Sequence, residues 1–314
     1  MNNDMIVSVS PHYHKAGNST QRIMLDVLIA LCPALLAACL IFGWRSLLLT
    51  AFSGANCLFL EWCWNKLMKK PQTIADLSAV VTGVLLAFNV PVGMPLWQLM
   101  VGDFIAIIIV KMLFGGIGCN FVNPALAGRV TMMLSFTGSM TAYMPSVYTG
   151  NVDVLSSATP LAVLKELDFS SFMTLFMGRH GGVLGETCAL ALILGGVYLV
   201  VRGVIKPTIP LCYVASVLVF SFLFNGFQFT QALLSLFSGG LMLGAIFMAT
   251  DYVTSPLTQK GQIIFAVGCG FLTTAIRLFA NYPEGVSFAI LLMNLVVPYI
   301  NNGTRTKPLG GVNA

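Results

Sequence analysis

Long apolar runs are the feature that most restricts what this chain can fold into. Mostly apolar stretches long enough to cross a bilayer core as helices recur along the 314-residue sequence. Only 9% of the residues are charged, against about 25% in soluble domains. So few charges cannot cover a soluble globule of this size, and a hydrophobic content of 57% excludes a disordered chain. The sequence therefore predicts an integral membrane protein.

Ten of these runs are candidate membrane spans. They lie at residues 23–43, 46–66, 74–90, 96–114, 124–140, 183–201, 208–225, 231–249, 261–279 and 285–300. Two spans are expected to be broken, because the third contains Gly83 and ends before Pro91, and the eighth contains Gly239–Gly240. The prediction is an all-α polytopic membrane protein with about ten transmembrane helices.

The positive-inside rule gives these spans an orientation. With both termini in the cytoplasm, all but four of the 16 Lys and Arg residues fall on or near the cytoplasmic side. The four exceptions are Arg45, Lys165, Arg179 and Arg277. Residues 1–22 and 301–314 are then cytoplasmic, and the long polar connection at residues 141–182 is extracytoplasmic. The net charge of +5 is explained by topology, and we expect no nucleic-acid partner.

The long connection separates two sets of five spans, residues 23–140 and residues 183–300. Because five is odd, the second set enters the membrane from the opposite face, which favours two inverted repeats. Pro95–Gln98 (Pro-Leu-Trp-Gln) after the third span and Pro256–Gln259 (Pro-Leu-Thr-Gln) after the eighth form a weak echo of this repeat. A ten-helix bundle without symmetry is the alternative. If the repeat exists, functional groups should gather where the broken helices meet.

A polar segment inside the outer connection has the pattern with most chemical content. Residues 151–166 start polar and continue as a predicted amphipathic helix, with Thr159 and Pro160 at the transition. In one interpretation Thr159 caps this helix and Pro160 takes its first position. In the other, the Thr159 hydroxyl attaches a phosphate-bearing cofactor, whose phosphate meets the free N–H groups of the helix N-terminus. The two interpretations are compatible.

Several sequence blocks follow one another along nearly the whole chain. They are Ser10–His12, Ala30–Ala34, Phe114–Ala125, Ser156–Leu161, Ala249–Pro256 and Tyr282–Val286. Together they resemble the family of the Rnf D subunit and the Nqr B subunit. In that family the Thr of a Ser-Gly-Ala-Thr motif carries FMN through a phosphoester. The resemblance implies covalent FMN at Thr159 within the motif Ser156, Ser157, Ala158 and Thr159, with Ser157 replacing the usual Gly.

The short polar N-terminus and the Thr159–Leu161 continuation favour the Rnf D branch. The resemblance implies a fold similar to that of urea transporters, in a subunit of an Rnf-type complex. Such a complex couples electron transfer between ferredoxin and NAD to Na⁺ or H⁺ movement across the bacterial cytoplasmic membrane. The chain would be one flavoprotein relay in this translocase, without a complete active site of its own. The alternative is a solute or ion transporter of inverted-repeat fold without a redox role.

Partners and a second cofactor follow from the same resemblance. The expected partners are the other complex subunits, including a second flavin-bearing subunit and iron–sulfur subunits, and a flavin transferase for maturation. A non-covalent riboflavin is also implied. Asn120, Asn123 and Arg129, at the predicted cytoplasmic mouth of the fourth and fifth spans, are its candidate contacts. Helix capping and turn hydrogen bonds are the alternative role for these three residues.

Acidic and hydroxyl side chains within or beside spans are candidates for an ion path. Asp103 lies near the middle of the fourth span, where an ionisable group is costly enough to indicate function. Its alternative role is that of a protonated or hydrogen-bonded packing residue. Asp251 and Thr254 follow the broken eighth span and offer oxygen atoms to a hard cation or hydrogen bonds to a flavin. No bound metal is expected, since the three His residues are few and scattered.

Overall fold

The structure is a computed structural model, and most of the part of the chain that it describes is helical. The described residues are 19–143, 172–178, 181–186, 188–280 and 285–304. Within these ranges the only extended pairing is an isolated antiparallel bridge between Pro91 and Val183. The all-α class predicted from the sequence is confirmed.

The N-terminal half consists of helices joined by short connections. They are α1 (Thr20–Phe42), α2 (Arg45–Leu67), a 3₁₀ turn (Ile74–Asp76), α3 (Ser78–Phe88), α4 (Leu96–Phe104) with a π-helical continuation (Ile105–Met112), α5 (Pro124–Ser135) and α6 (Thr137–Met140). Local signals start some of them: the Asn123 side chain accepts a hydrogen bond from the Leu126 N–H, and Pro124 takes the first position of α5. With 11 residues, α3 is about 16 Å long and cannot cross a bilayer core of about 30 Å. It is a half-helix.

The C-terminal half also consists of helices joined by connecting segments, and its last two helices are long. It contains α7 (Phe172–Met177), α8 (Ala189–Val201), α9 (Thr208–Phe224), α10 (Phe229–Phe237), α11 (Leu241–Leu243) with a π-helical continuation (Gly244–Met248), α12 (Gln259–Phe279) and α13 (Gly285–Gly303). The axes of α10 and of α11 with its continuation differ by 66°. Gly239 at this bend has a φ of 72°, a left-handed conformation that glycine adopts without strain. The break predicted at Gly239–Gly240 is confirmed.

Among the described residues, four helices are long and apolar enough to cross a membrane by themselves, namely α1, α2, α12 and α13. The bent pair of α10 and α11 adds a fifth crossing if it counts as one span. Helices α3, α8 and α9 are apolar but shorter. Each of the ten predicted spans contains helix, which agrees with an integral membrane protein. Ten crossings and their inverted symmetry stay predictions.

The two halves pack in a matching order. Helix α4 lies between α2 and α5 in the N-terminal half, and α12 lies between α9 and α13 in the C-terminal half. The halves meet where α1 packs on α8 and α5 packs on α13. A Cβ atom on Gly195 of α8 would overlap the Ala30 carbonyl oxygen of α1. Only glycine permits so close a helix contact.

Candidate functional site

A cavity of about 310 Å³ opens between the two halves. Its walls come from α1, α3, the start of α5, the end of α8 and the segment that follows α11. Most of the lining is apolar, and the polar side chains in it are Thr20, Ser78, Thr82, Lys111, Asn120, Asn123, Thr250, Asp251 and Tyr252. A mainly apolar cavity of this size with a few polar groups is typical of a small-molecule site.

Two of the three predicted flavin contacts line this cavity. The Asn120 Oδ1 atom is buried and has no hydrogen-bond partner among the described residues, so it is available to a donor on a bound molecule. The Asn123 amide is already used: its Oδ1 atom accepts from the Leu126 N–H at 3.3 Å, and its Nδ2 atom donates to the Met248 carbonyl at 3.2 Å. Asn123 therefore fastens the start of α5 to the end of the α11 continuation.

Arg129 is not among the residues that line the cavity. It lies six positions after Asn123 on α5, about 9 Å further along the helix axis, and is 1% exposed. Its Nη1 atom donates to Asn89 Oδ1 at 2.5 Å, and its Nη2 atom lies 3.4 Å from Glu186 Oε1. The structure thus differs from the expectation of one shared site for Asn120, Asn123 and Arg129.

Arg129 instead occupies the place where the two broken helices meet. Asn89 caps the C-terminal end of α3, and the Glu186 carboxylate accepts a hydrogen bond from the Gly240 N–H, just before α11. A carboxylate at a helix N-terminus is favoured by the helix dipole. We name Asn89, Arg129, Glu186 and Gly240 the central junction. Two buried charged groups, Arg129 and Glu186, therefore lie between the end of α3 and the start of α11.

A second buried ion pair lies beside the cavity, which Lys111 of this pair lines. The Lys111 Nζ atom lies 2.7 Å from Glu61 Oε2 and 2.6 Å from Ser78 Oγ, and both charged side chains are at most 3% exposed. Glu61 also accepts a hydrogen bond from the Thr73 hydroxyl. Lys111 belongs to the π-helical continuation of α4, a geometry that is frequent at functional sites. Sequence reasoning missed this pair, although an acid at position 61 inside an apolar span was a signal for it.

The predicted ion-path residues fall in two places. Asp251 lines the cavity, and its Oδ2 atom accepts from the Thr254 hydroxyl at 3.1 Å. Asp103 lies elsewhere, between α4 and α2, where it contacts Ser53 and Asn56. The described part of the chain contains no group of three His, Cys, Asp or Glu side chains placed to hold a metal ion.

The predicted attachment motif lies outside the described residues. This applies to Ser156, Ser157, Ala158 and Thr159. The described chain stops at Tyr143 before the motif and resumes at Phe172 after it. Covalent FMN at Thr159 therefore stays a prediction from the sequence motif.

Comparison with known proteins shows what the chain is similar to. Residues 6–310 match the NQR2, RnfD, RnfE family. The chain is 46% identical to the D subunit of the Na(+)-translocating ferredoxin:NAD(+) oxidoreductase complex of Acetobacterium woodii, over 98% of this chain and 96% of that protein. It is 38% identical to the D subunit of the proton-translocating ferredoxin:NAD(+) oxidoreductase complex of Clostridium ljungdahlii, over 98% and 97%. It is 36% identical to the D subunit of the ion-translocating oxidoreductase complex of Actinobacillus succinogenes, over 97% and 98%.

These similarities extend over nearly the whole length of each protein. A match of this extent cannot come from one short shared motif or from apolar composition alone. The resemblance predicted from the ordered sequence blocks is confirmed. The chain belongs to the NQR2, RnfD, RnfE family.

Proposed function

We propose that this chain is the D subunit of an ion-translocating ferredoxin:NAD oxidoreductase complex in the bacterial cytoplasmic membrane. The observation that carries the proposal is its end-to-end similarity to proteins named as the D subunit of such complexes. In this role the chain supplies one stage of the electron path. Other subunits, among them iron–sulfur subunits and a second flavin-bearing subunit, deliver and remove the electrons.

The first electron carrier is FMN, joined to the Thr159 hydroxyl oxygen through a phosphoester by a flavin transferase. Support comes from the motif Ser156–Thr159 and from the Pro160–Leu161 continuation. Thr159 is predicted to start a helix, where a phosphate finds free N–H groups. Ser157 stands where the family motif has Gly, so the attachment segment lacks the conformational freedom of that glycine.

The second carrier is a non-covalent flavin, such as riboflavin, in the cavity between the halves. The residues present fit such a ring system: apolar side chains such as Val27 and Phe247 suit its broad faces, and Asn120 Oδ1 is free to accept from a polar edge. A bound flavin supplies the redox chemistry, while the protein sets its position, its exposure to water and its hydrogen bonds. Asn123 keeps this wall in place by tying α5 to Met248.

The translocated ion is Na⁺ or H⁺. The relatives include one protein named as Na⁺-translocating and one named as proton-translocating, so family membership alone does not fix the ion. Asp103, Asp251 and Thr254 are the proposed ion-path residues. Asp251 shares the cavity wall with Asn120, so a charge at its carboxylate interacts directly with a molecule in the cavity. This proximity gives a physical route for coupling between redox state and ion binding.

Intact mass tests covalent attachment most simply. The subunit is produced in its native host with its flavin transferase, beside a Thr159→Ala variant and a Thr149→Ala control from the same outer connection. We expect a mass gain of about one FMN in the wild type and in the control, and none in Thr159→Ala. No gain in the wild type despite an active transferase would contradict the proposal and favour the transporter alternative.

The predicted topology is tested by labelling. Both termini are proposed to be cytoplasmic and the Thr159 segment extracytoplasmic. A single cysteine placed near Thr159 in a variant without other reactive cysteines should react with an impermeant reagent added outside the cell. Reaction only after the cytoplasmic side is exposed would contradict this orientation.

A further inference from the structure

The buried Ser53 hydroxyl lies within hydrogen-bond distance of two oxygen atoms. The Ser53 Oγ atom of α2 lies 2.8 Å from the Gly83 carbonyl oxygen of α3 and 2.6 Å from Asp103 Oδ1 of α4. A serine hydroxyl has one proton to donate, and a carbonyl oxygen has none. Both contacts are hydrogen bonds only if the carboxyl oxygen of Asp103 carries the second proton.

The surroundings of Asp103 agree with a neutral acid. The side chain is 0% exposed, and the Asn56 Nδ2 atom donates to its Oδ2 atom at 2.9 Å. An ionised carboxyl in such a place is very costly unless a cation is paired with it. No ion pair with Asp103 is found among the described residues, and Lys111 and Arg129 pair with Glu61 and Glu186 instead.

The other titratable groups near Asp103 do not supply a counter-charge. On α2, the Cys57 thiol contacts the Asp103 carboxyl, and Glu61 further along is the partner of Lys111. Helix α3 presents no titratable side chain. The charged side chain of α5 is Arg129, which belongs to the central junction. Among the described residues, therefore, no charged side chain balances an ionised Asp103.

We propose that Asp103 is a proton-binding site and that Ser53 transmits its occupancy to the half-helix α3. With the proton present, Asp103 donates to Ser53 and Ser53 donates to Gly83. When Asp103 loses its proton, the Ser53 hydroxyl donates its single proton to the Asp103 carboxylate and no longer to Gly83. Two oxygen atoms, of Ser53 and Gly83, then face each other at 2.8 Å without a proton between them, which is repulsive.

Helix α3 packs directly on α2 at this point, so a small local shift of Gly83 cannot relieve this repulsion. A Cβ atom on Gly83 would lie 2.7 Å from the Ser53 carbonyl oxygen. The same helix presents Thr82 and Leu85 to the cavity and ends at Asn89 of the central junction. Proton release from Asp103 should therefore move or loosen one wall of the cavity. A link between this site and electron transfer rests on the proposed function, whereas the proton itself does not.

Infrared difference spectroscopy tests the proton directly, on the purified complex at neutral pH. The Asp103→Asn variant keeps the hydrogen bonds, because its amide donates to Ser53 and its oxygen accepts from Asn56. The wild type minus Asp103→Asn spectrum should show the C=O stretching band of a protonated carboxyl, and that band should disappear on alkaline titration. A carboxylate band at neutral pH in its place would overturn the proposal.

A Ser53→Ala variant provides a second measurement. It removes the acceptor of the Asp103 proton, so the carboxyl C=O band should shift in frequency while Asn56 still donates to Oδ2. A band at the same frequency as in the wild type would mean that Ser53 does not accept this proton, and would overturn the relay.

Hydrogen–deuterium exchange of α3 tests the transmission. After correction for intrinsic rates, exchange in residues 78–88 should rise at alkaline pH in the wild type and not in Asp103→Asn. Equal behaviour of the two proteins would overturn the coupling to α3. None of these three measurements depends on flavin, so absence of FMN at Thr159 would defeat the proposed function and leave these tests unaffected.

Discussion

Different contacts stabilise the helix break before α3 and the helix break before α11. Before α3 the chain turns at Leu77, which has a left-handed φ of 62°, and Lys111 then bonds both Ser78 and Glu61. All of these residues belong to the N-terminal half. This first break is therefore fixed by a charge pair within one half of the molecule.

The break before α11 is stabilised by one cation that donates to backbone oxygen atoms and by residues from both halves. Arg277 of α12 donates to the Ser235 carbonyl at 2.8 Å and the Ser238 carbonyl at 3.0 Å. On the other side, Glu186 caps Gly240 and contacts Arg129 of α5. The contacts at the second break therefore also join the two halves. Substitutions there should lower the free energy of unfolding more than equivalent substitutions at the first break.

The largest effect is expected when the cation of the central junction is removed. Arg129→Met removes the guanidinium that pairs with the buried Glu186 carboxylate. Breaking a buried pair in this way costs about 3–5 kcal/mol of folding free energy. Lys111→Met, the matched change at the first break, should cost less because no contact between halves is lost. Thermal unfolding of the purified variants in detergent shows which substitution lowers the stability more. A larger loss for Lys111→Met would contradict the comparison.

A smaller effect is expected from the helix contact between the halves. Gly195→Ala places a methyl group against the Ala30 carbonyl and should destabilise the protein by about 1–3 kcal/mol, a typical cost of overpacking. Gly138→Ala is the control, since a Cβ atom there meets nothing within 4 Å. The same unfolding measurement applies. Equal midpoints for both variants would show that α1 and α8 are not closely packed.

Arg277→Lys tests the backbone contacts at the second break. The two bonds come from separate guanidinium nitrogens, Nη1 and Nη2, and the single Nζ atom of a shorter lysine does not occupy both positions. One charged hydrogen bond is therefore lost, at a cost of about 1.5 kcal/mol. Arg45→Lys is the comparison, because Arg45 also donates to backbone carbonyls but is exposed. Its unfolding midpoint should move less. A larger shift for Arg45→Lys would mean that Arg277 does not hold the break.

The smallest effect is expected at the ion pair between Arg202 and Asp26. The Arg202 side chain is 55% exposed, and exposed pairs contribute about 0.2–1 kcal/mol. Arg202→Gln should therefore leave the unfolding midpoint almost unchanged. A loss as large as that of Arg129→Met would show that position 202 has a structural role beyond this pair.

Apolar runs and glycine positions were sufficient to predict the helices and the break at Gly239–Gly240. The break expected from Gly83 in the third span was wrong in position, since Gly83 lies inside the continuous helix α3 and the chain turns at Leu77 instead. The 11-residue length of α3 depends on this turn, which the sequence pattern does not show. Periodicity also gave no sign of the π-helical continuations of α4 and α11.

The candidate site was predictable in part for a similar reason. Asn120 and Asn123 were found because they follow a glycine-rich turn at a span end, and they do line the cavity. Arg129 does not line the cavity but contacts Glu186, which is 57 positions away and is brought to it only by the tertiary structure. Charged residues inside apolar spans, such as Glu61 and Lys111, were the signal for buried pairs, but not for which residues pair.

Flavin partition in the purified subunit tests most directly whether the chain carries one flavin at Thr159 and another in the cavity. Val27→Trp fills the cavity from α1, and Ile29→Trp on the same helix is the control because Ile29 is exposed. We predict that Val27→Trp loses only the acid-released flavin, Thr159→Ala loses only the covalent flavin, and Ile29→Trp keeps both. Unchanged acid-released flavin in Val27→Trp, or a wild-type protein without any flavin, would contradict this function.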